Sequence, residues 1–170
     1  KAFLYADPEV TIELLRRLNV KCVSLANNHI LDCGREGLAN TIELLDRLGI
    51  YHAGAGLTPE QAAPVIFPIA GKKTAFAAWN HDSTNPAAGG YPDLYLSVFE
   101  RDRAEAEIRN LRLKADIVIA SIHWGTDYSF FHEPWQREAA EGLAAAGADI
   151  IMGHHSHTLQ PFETIGSATV

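Results

Sequence analysis

The sequence predicts an α/β sandwich with a mixed sheet, on three observations. Stretches with apolar residues at helical spacing alternate with short apolar runs, the order that layers helices on a sheet. Two neighbouring apolar runs, 65–70 and 74–79, are joined closely enough to pair as a hairpin, which brings antiparallel pairing into the sheet. The run 116–122 is apolar and rich in β-branched residues, the composition of a strand covered on both faces.

The elements follow in order. A helix is expected over 8–18, with Asp7 as N-cap, Pro8 in the first turn and Val10, Leu14 and Leu18 as its apolar stripe, widened by Leu15. It feeds a strand over 20–26. A second helix over 36–48 carries Leu38, Ile42 and Leu45 on one face and stops at Gly49. A short strand over 50–53 follows, then the hairpin around Gly71-Lys72-Lys73. The prolines, glycines and small polar residues of 80–92 predict a surface loop. A charged helix over 98–113 precedes the 116–122 strand. The last helix, over 134–146, ends at Gly147 and feeds a strand over 149–152, and 158–165 is expected to add one more.

Composition narrows the function. The 170 residues suit one domain with a substantial core. With 14 Lys and Arg against 21 Asp and Glu, the formal charge is −7, which argues against a nucleic-acid partner. Hydrophobic residues at 47% exclude disorder, yet no apolar run reaches the roughly 18–20 residues of a membrane span. The chain opens on Lys1, so further sequence is expected upstream. Cys22 and Cys33 are too few for a disulfide framework. The unusual count is eight histidines.

Five of them fall at predicted strand ends, in Asn27-Asn28-His29, in His123-Trp124-Gly125 and in Gly153-His154-His155-Ser156-His157. In α/β sheets, ligands bind just beyond the carboxyl ends of strands. If these strands are neighbours in one sheet, the five histidines and Asn28 share an edge. Neutral imidazole is the commonest transition-metal ligand and an amide oxygen can share the ion, while Asp32 and Asp127 can bind directly or orient a ligand. Taken singly, each feature has a plainer reading: His123 as a partly buried packing histidine, Asn27-Asn28 as turn chemistry. Three histidines within four residues are not something core packing asks for, and the coincidence at three strand ends favours a metal site. His52 reads as structural, His81 as a possible neighbour of the same edge, and His132 as a capping or surface residue. No nucleophile elbow, phosphate loop or dinucleotide glycine motif is present.

The stretch Ser24 to Asp32 with Gly34 to Leu38, then Gly54-Ala55-Gly56, Ala62 to Val65, His123-Trp124-Gly125, and Gly153 to His157 with Gln160-Pro161, resembles the signature of the bacterial capsule-synthesis CapA family of poly-γ-glutamate proteins. The similarity runs in order over nearly the whole chain. It implies an α/β, metallophosphoesterase-like αββα sandwich with a mixed sheet. Relatives carry an upstream Gly-Asp strand and an Asn-Leu-Glu segment, and a further strand downstream. The resemblance therefore implies that residues 1–170 are an internal piece of the domain, lacking its N-terminal strands and acidic ligands.

By that resemblance, Asn28 and His123 match metal ligands, and His29 matches the histidine that assists catalysis without binding metal. The terminal motif departs from Gly-His-x-His, which leaves His155 with His157, or His154 with His157, as the ligand pair; the His-x-His spacing favours the former. Asn27, Asp32, Trp124, Asp127 and Tyr128 are assigned to orienting those ligands or touching substrate. The implied cofactor is a divalent transition metal (Mn, Zn or Fe), two ions in the full-length protein, activating water for attack on a phosphoester or related electrophile. The implied setting is the cell envelope, membrane-anchored or extracellular, among other capsule-synthesis proteins and an anionic polymer or phosphoester substrate. The competing class is a non-catalytic polymer-binding or assembly module. Its only cationic candidates are Lys72, Lys73 and the helix between Arg101 and Lys114.

Overall fold

The computed structural model describes residues 4–84 and 93–170; positions 85–92 of the expected loop lie outside the described residues. Helix α1 (Pro8–Arg17) starts as predicted, with the Asp7 carboxylate accepting from the Glu9 and Val10 amides and Pro8 in the first turn. Its predicted stripe does not pack. Val10, Leu14 and Leu18 are exposed, and only Leu15, about 100° around the helix from Leu14, reaches the body.

Strand β1 (Cys22–Ser24) pairs in parallel with β2 (Tyr51–Ala53), Val23 opposite His52. Between them α2 (Gly34–Leu48) buries Leu38, Ile42 and Leu45, and Gly49 ends it in the left-handed conformation (φ 67°). Strand β3 (Ala55–Gly56) pairs antiparallel with β6 (Tyr95–Leu96), and the short α3 (Pro59–Ala62) is capped by the Thr58 hydroxyl. The predicted hairpin forms from β4 (Val65–Ile69) and β5 (Lys72–Asn80), but its turn is Ala70-Gly71, both at positive φ, so the two lysines open β5.

Helix α4 (Arg101–Arg112) begins three residues later than expected and leads into β7 (Ile117–Trp124). Helix α5 (Pro134–Ala146) opens with a reciprocal cap between Glu133 and Gln136 and closes at Gly147 (φ 112°), feeding β8 (Ile150–His155). The expected strand over 158–165 is reduced to its last two residues. These form β9 (Thr164–Ile165), which makes a small hairpin with β10 (Ala168–Thr169). Pro161 has no amide to donate to a ladder, and the Thr158 hydroxyl and Gln160 amide bond the carbonyls of Ser129 and Phe131 instead.

Six strands form one mixed sheet in the order β4-β5-β7-β8-β10-β9, parallel through β5, β7, β8 and β10 with antiparallel edges. Val118, Ala120, Ile122 and Trp124 face the helix side, packing with Ile108, Leu143 and Phe99. On the other face Phe67, Phe76 and Ala78 meet Ala26 and Ala53, and behind these Leu25, Leu38, Ile42 and Leu45 fill the space under α2. The layers are therefore helix, sheet, sheet, helix. This corrects one expectation: β1 belongs to its own two-stranded sheet with β2, so the Asn-His segment approaches the six-stranded sheet from the facing layer. Among the described residues, no helix is long and apolar enough to cross a membrane.

Candidate metal centre

Parallel pairing of β7 with β8 sets the site. The register places His123 beside His154 and Trp124 beside His155, at the carboxyl ends of both strands. The segment leaving β1 brings Asn28 across from the facing layer, with its Oδ1 3.1 Å from His123 Nε2. His123 Nδ1 lies 2.7 Å from His154 Nδ1, and His154 Nε2 lies 3.1 Å from Ser121 Oγ. One set of tautomers satisfies all these atoms: Ser121 donates to His154, His154 to His123, and His123 to Asn28. Every imidazole in that chain is neutral.

Electrostatics agree. Burial pushes the His123 pKa down to about 3, with His154, His155, His29 and His157 adding repulsion against a proton. Burial likewise takes His154 down to about 4, with His155 contributing. His155 is lowered by burial, against the opposing pull of Asp127. Neutral imidazoles with lone pairs are the form in which histidine binds a metal ion.

Two further groupings complete the site. Asn27 Oδ1 accepts the His29 amide at 2.9 Å, an Asx turn that shapes the segment. His29 Nδ1 then meets Asp32 Oδ2 at 2.6 Å, and the Asp32 side chain is almost wholly buried. On the other side, donor atoms of Asp127, His155 and His157 all lie within 4.8 Å of one another. The His157 ring stacks against Tyr128 with centroids 5.8 Å apart. The buried His155 Nδ1 has no hydrogen-bond partner among the described residues. Neutral imidazoles beside amide and carboxylate oxygens form a donor set that suits a divalent ion such as Zn, Mn or Fe.

Asn28, His123, His154, His155, His157 and Asp127 thus converge, with His29 and Asp32 paired beside Asn28. Trp124 does not face them. Neighbouring strand residues point to opposite faces, and its indole packs edge-on against Phe99 and Trp135 in the helix-side core. His52 is buried in the β1–β2 layer, and His81 stacks on Trp135 at 4.3 Å, on the helix side. His132 borders a separate cavity of about 340 Å³ beside α5. The residue sequence reasoning missed is Ser121. Its signal was its place two residues before His123 on the same strand face.

The family model described as bacterial capsule synthesis protein PGA_cap matches residues 1–170. The chain is 28% identical over 189 residues to the PGA biosynthesis protein CapA of Bacillus subtilis (strain 168), covering all of this chain and 47% of that protein. It is 27% identical over 165 residues to the capsule biosynthesis protein CapA of Bacillus anthracis, covering 91% of this chain and 39% of that protein. The chain therefore spans less than half the length of either relative. Two solved structures share the fold. One, from Staphylococcus aureus and described as a 5′-nucleotidase, has a TM-score of 0.66 at 14% identity, over 96% of this chain and 34% of that one. The other, a 5′-nucleotidase precursor from Thermus thermophilus, has a TM-score of 0.61 at 17% identity, over 89% of this chain and 29% of that one. With a match along its whole length, the chain belongs to the PGA_cap family of bacterial capsule synthesis proteins, on a metallophosphoesterase-type fold.

Proposed function

We propose that this chain carries the histidine half of a metal-dependent hydrolase site in a capsule-synthesis protein of the cell envelope. The observation that supports it is the meeting of Asn28, His123 and the His154–His157 segment at one strand edge, next to the His29–Asp32 pair. Asn28, His123, His155 and His157 would hold a divalent transition ion. The 3.1 Å between Asn28 Oδ1 and His123 Nε2 suits two neighbouring donors on one ion as well as a hydrogen bond. With His123 Nε2 turned over to the ion, the proton chain reverses: His123 Nδ1 donates to His154 and His154 to Ser121. His154 is then an orienting partner, and His155 with His157 the ligand pair.

Bound there, the ion supplies Lewis acidity and a water of lowered pKa. The chain's own residues do the rest. Asp32 fixes the His29 ring through Nδ1, leaving Nε2 to deliver a proton to a leaving group. Asn27 holds the turn that presents both Asn28 and His29. The substrate class is a phosphoester or another anionic electrophile, including the γ-glutamyl amide of an anionic polymer, and the partners are other capsule-synthesis proteins.

The test uses the full-length protein. Elemental analysis is expected to find bound transition metal, lost in His123→Ala and His157→Ala. Turnover of a generic phosphodiester or a γ-glutamyl amide with added Mn is expected to fall by about 10²–10⁴-fold in His29→Gln, with metal retained. Absence of bound metal in the parent sinks the reading. Polymer binding without any turnover favours the assembly module.

A further inference from the structure

Beyond β7 the chain turns at Gly125 (φ 96°) and reaches Asp127, four residues after His123. Beyond β8 it passes through His155 (φ 111°) and His157 (φ 57°). The two loops are tied together, because the Tyr128 amide donates to the Ser156 carbonyl at 2.7 Å and Tyr128 itself sits at φ 61°. Three non-glycine residues at positive φ in one pair of loops mark backbone held against its own preference. The result is a set of three donors from two strand ends: Asp127 Oδ1 stands 3.3 Å from His155 Nε2 and 3.9 Å from His157 Nε2.

Those separations discriminate between roles. A charge-assisted hydrogen bond between imidazole and carboxylate closes to about 2.7–2.9 Å, and neither pair does. Donor atoms sharing one ion through bonds of about 2.1 Å stand roughly 3.0–3.5 Å apart, so 3.3 Å falls inside that range and 3.9 Å just beyond it. His155 is nearly buried, yet Asp127 and His157 remain accessible, which leaves the ion an open side for water or substrate. The His123–His154–Ser121 chain is closed on itself by hydrogen bonds and does not engage Asp127.

We propose that Asp127 is a direct ligand, with His155 and His157, of a divalent transition metal ion at the ends of β7 and β8. The chain would then bring a carboxylate of its own to the centre, in addition to any supplied by flanking sequence. This rests on the metal-centre reading above and assigns it a ligand. A carboxylate added to imidazole ligands keeps the preference for Mn, Fe or Zn over Ca or Mg.

The experiment titrates Zn and Mn into the metal-stripped full-length protein by calorimetry, and reads the metal-induced shift in melting temperature. Asp127→Asn removes the charge at equal size, at a side chain more than half exposed, so the apo variant is expected to melt with the parent. Its metal affinity is expected to fall by more than tenfold, with the metal-induced shift reduced in step. Asp127→Glu should restore much of both, whereas Asp102→Asn on α4 should change neither. If Asp127→Asn binds metal like the parent while His157→Ala does not, the assignment is overturned. Metal binding that depends on Asp127 without any turnover overturns the hydrolase and leaves the ligand standing. No metal binding by the parent overturns both.

Discussion

Gly54→Ala is expected to be the most damaging single-methyl change next to the site. Gly54 is buried at φ 104°, a conformation L residues avoid, and its amide and carbonyl are both engaged, with Ala62 and Ser97. An added Cβ would stand 2.6 Å from Ala26 Cβ and 2.8 Å from Ala26 N. The nearest atoms are backbone and a methyl in the layer between the sheets, so no flexible side chain can move aside. The backbone conformation costs about 1–3 kcal/mol and the overlap about 1–3 more. Reduced unfolded-state entropy returns about 0.4–1 kcal/mol. A net loss of about 1–5.5 kcal/mol, centred on about 3, is a large share of the roughly 5–15 kcal/mol of a typical domain. Gly49→Ala is the internal control, since Gly49 sits at φ 67° with nothing within 4 Å of its Cβ position and bears only the conformational cost, about 1–2 kcal/mol. Urea unfolding of both variants, with the slope checked for constancy, separates the two effects. A Gly54→Ala loss no larger than that of Gly49→Ala would refute the contact argument. The relief has one direction, toward Ala26 and hence Asn27 and Asn28, so metal affinity should fall with stability in Gly54→Ala alone.

Stability is also expected to depend on pH through the histidines. Those at 123 and 154 have folded pKa values of about 3 and about 4, below the usual 6.5, so between 6.5 and those values the unfolded chain binds protons that the folded one does not, and burial shifts His155 in the same direction. Stability is then fully present above about pH 6.5 and declines as pH falls, by up to about 1.4 kcal/mol per pH unit for each group. Urea midpoints at pH 7, 6 and 5, above the carboxylate range, measure it, and a flat profile contradicts the burial of these rings. Asp149 joins α4 to the sheet: its Oδ2 accepts from Arg112 Nη1 and from the Val118 amide, each at 2.7 Å. Because both side chains of this ion pair are about a third exposed, solvent discounts the ionic part, and Asp149→Ala is expected to cost about 1–2 kcal/mol. Asp149→Asn, which keeps an acceptor for Val118, should cost less, and equal losses would show that the hydrogen bond to Val118 contributes nothing.

Local signals carried much of this fold. Asp7-Pro8, Gly49 and Gly147 mark helix ends because capping depends on neighbours in sequence, and each was legible there. What depends on distant partners was not. The stripe Val10-Leu14-Leu18 has helical period, but period does not say which element covers it, and of the apolar residues predicted to pack only Leu15 meets the core. Strand β1 has the composition of any buried strand, and only its pairing with β2 assigns it to the facing layer. In the site, the histidine types and their strand-end positions pointed to a metal, while the placing of His154 against Ser121 and of Asp127 against His155 waited on the β7–β8 register. Trp124 is the instructive miss, since alternation alone puts it on the face opposite His123.

Alternation also explains why the backbone at the end of β8 departs from the regular strand. In an undistorted strand, His154 and His155 would point to opposite faces, and only one could join His123. Both do join it, with ring centroids 4.8 Å and 4.6 Å from that of His123. The left-handed φ of 111° at His155 breaks the alternation and turns its ring back to the His123 side, and φ 57° at His157 brings the third ring toward Asp127. Such conformations cost on the order of 1–3 kcal/mol each at non-glycine residues, and nothing in the packing of the helix-side core requires them. The residue best adapted to those angles is glycine, yet imidazoles occupy both positions. The strain is thus borne where three imidazoles from one short segment are gathered beside a carboxylate, an arrangement that stabilises no apolar core and that a divalent ion would satisfy.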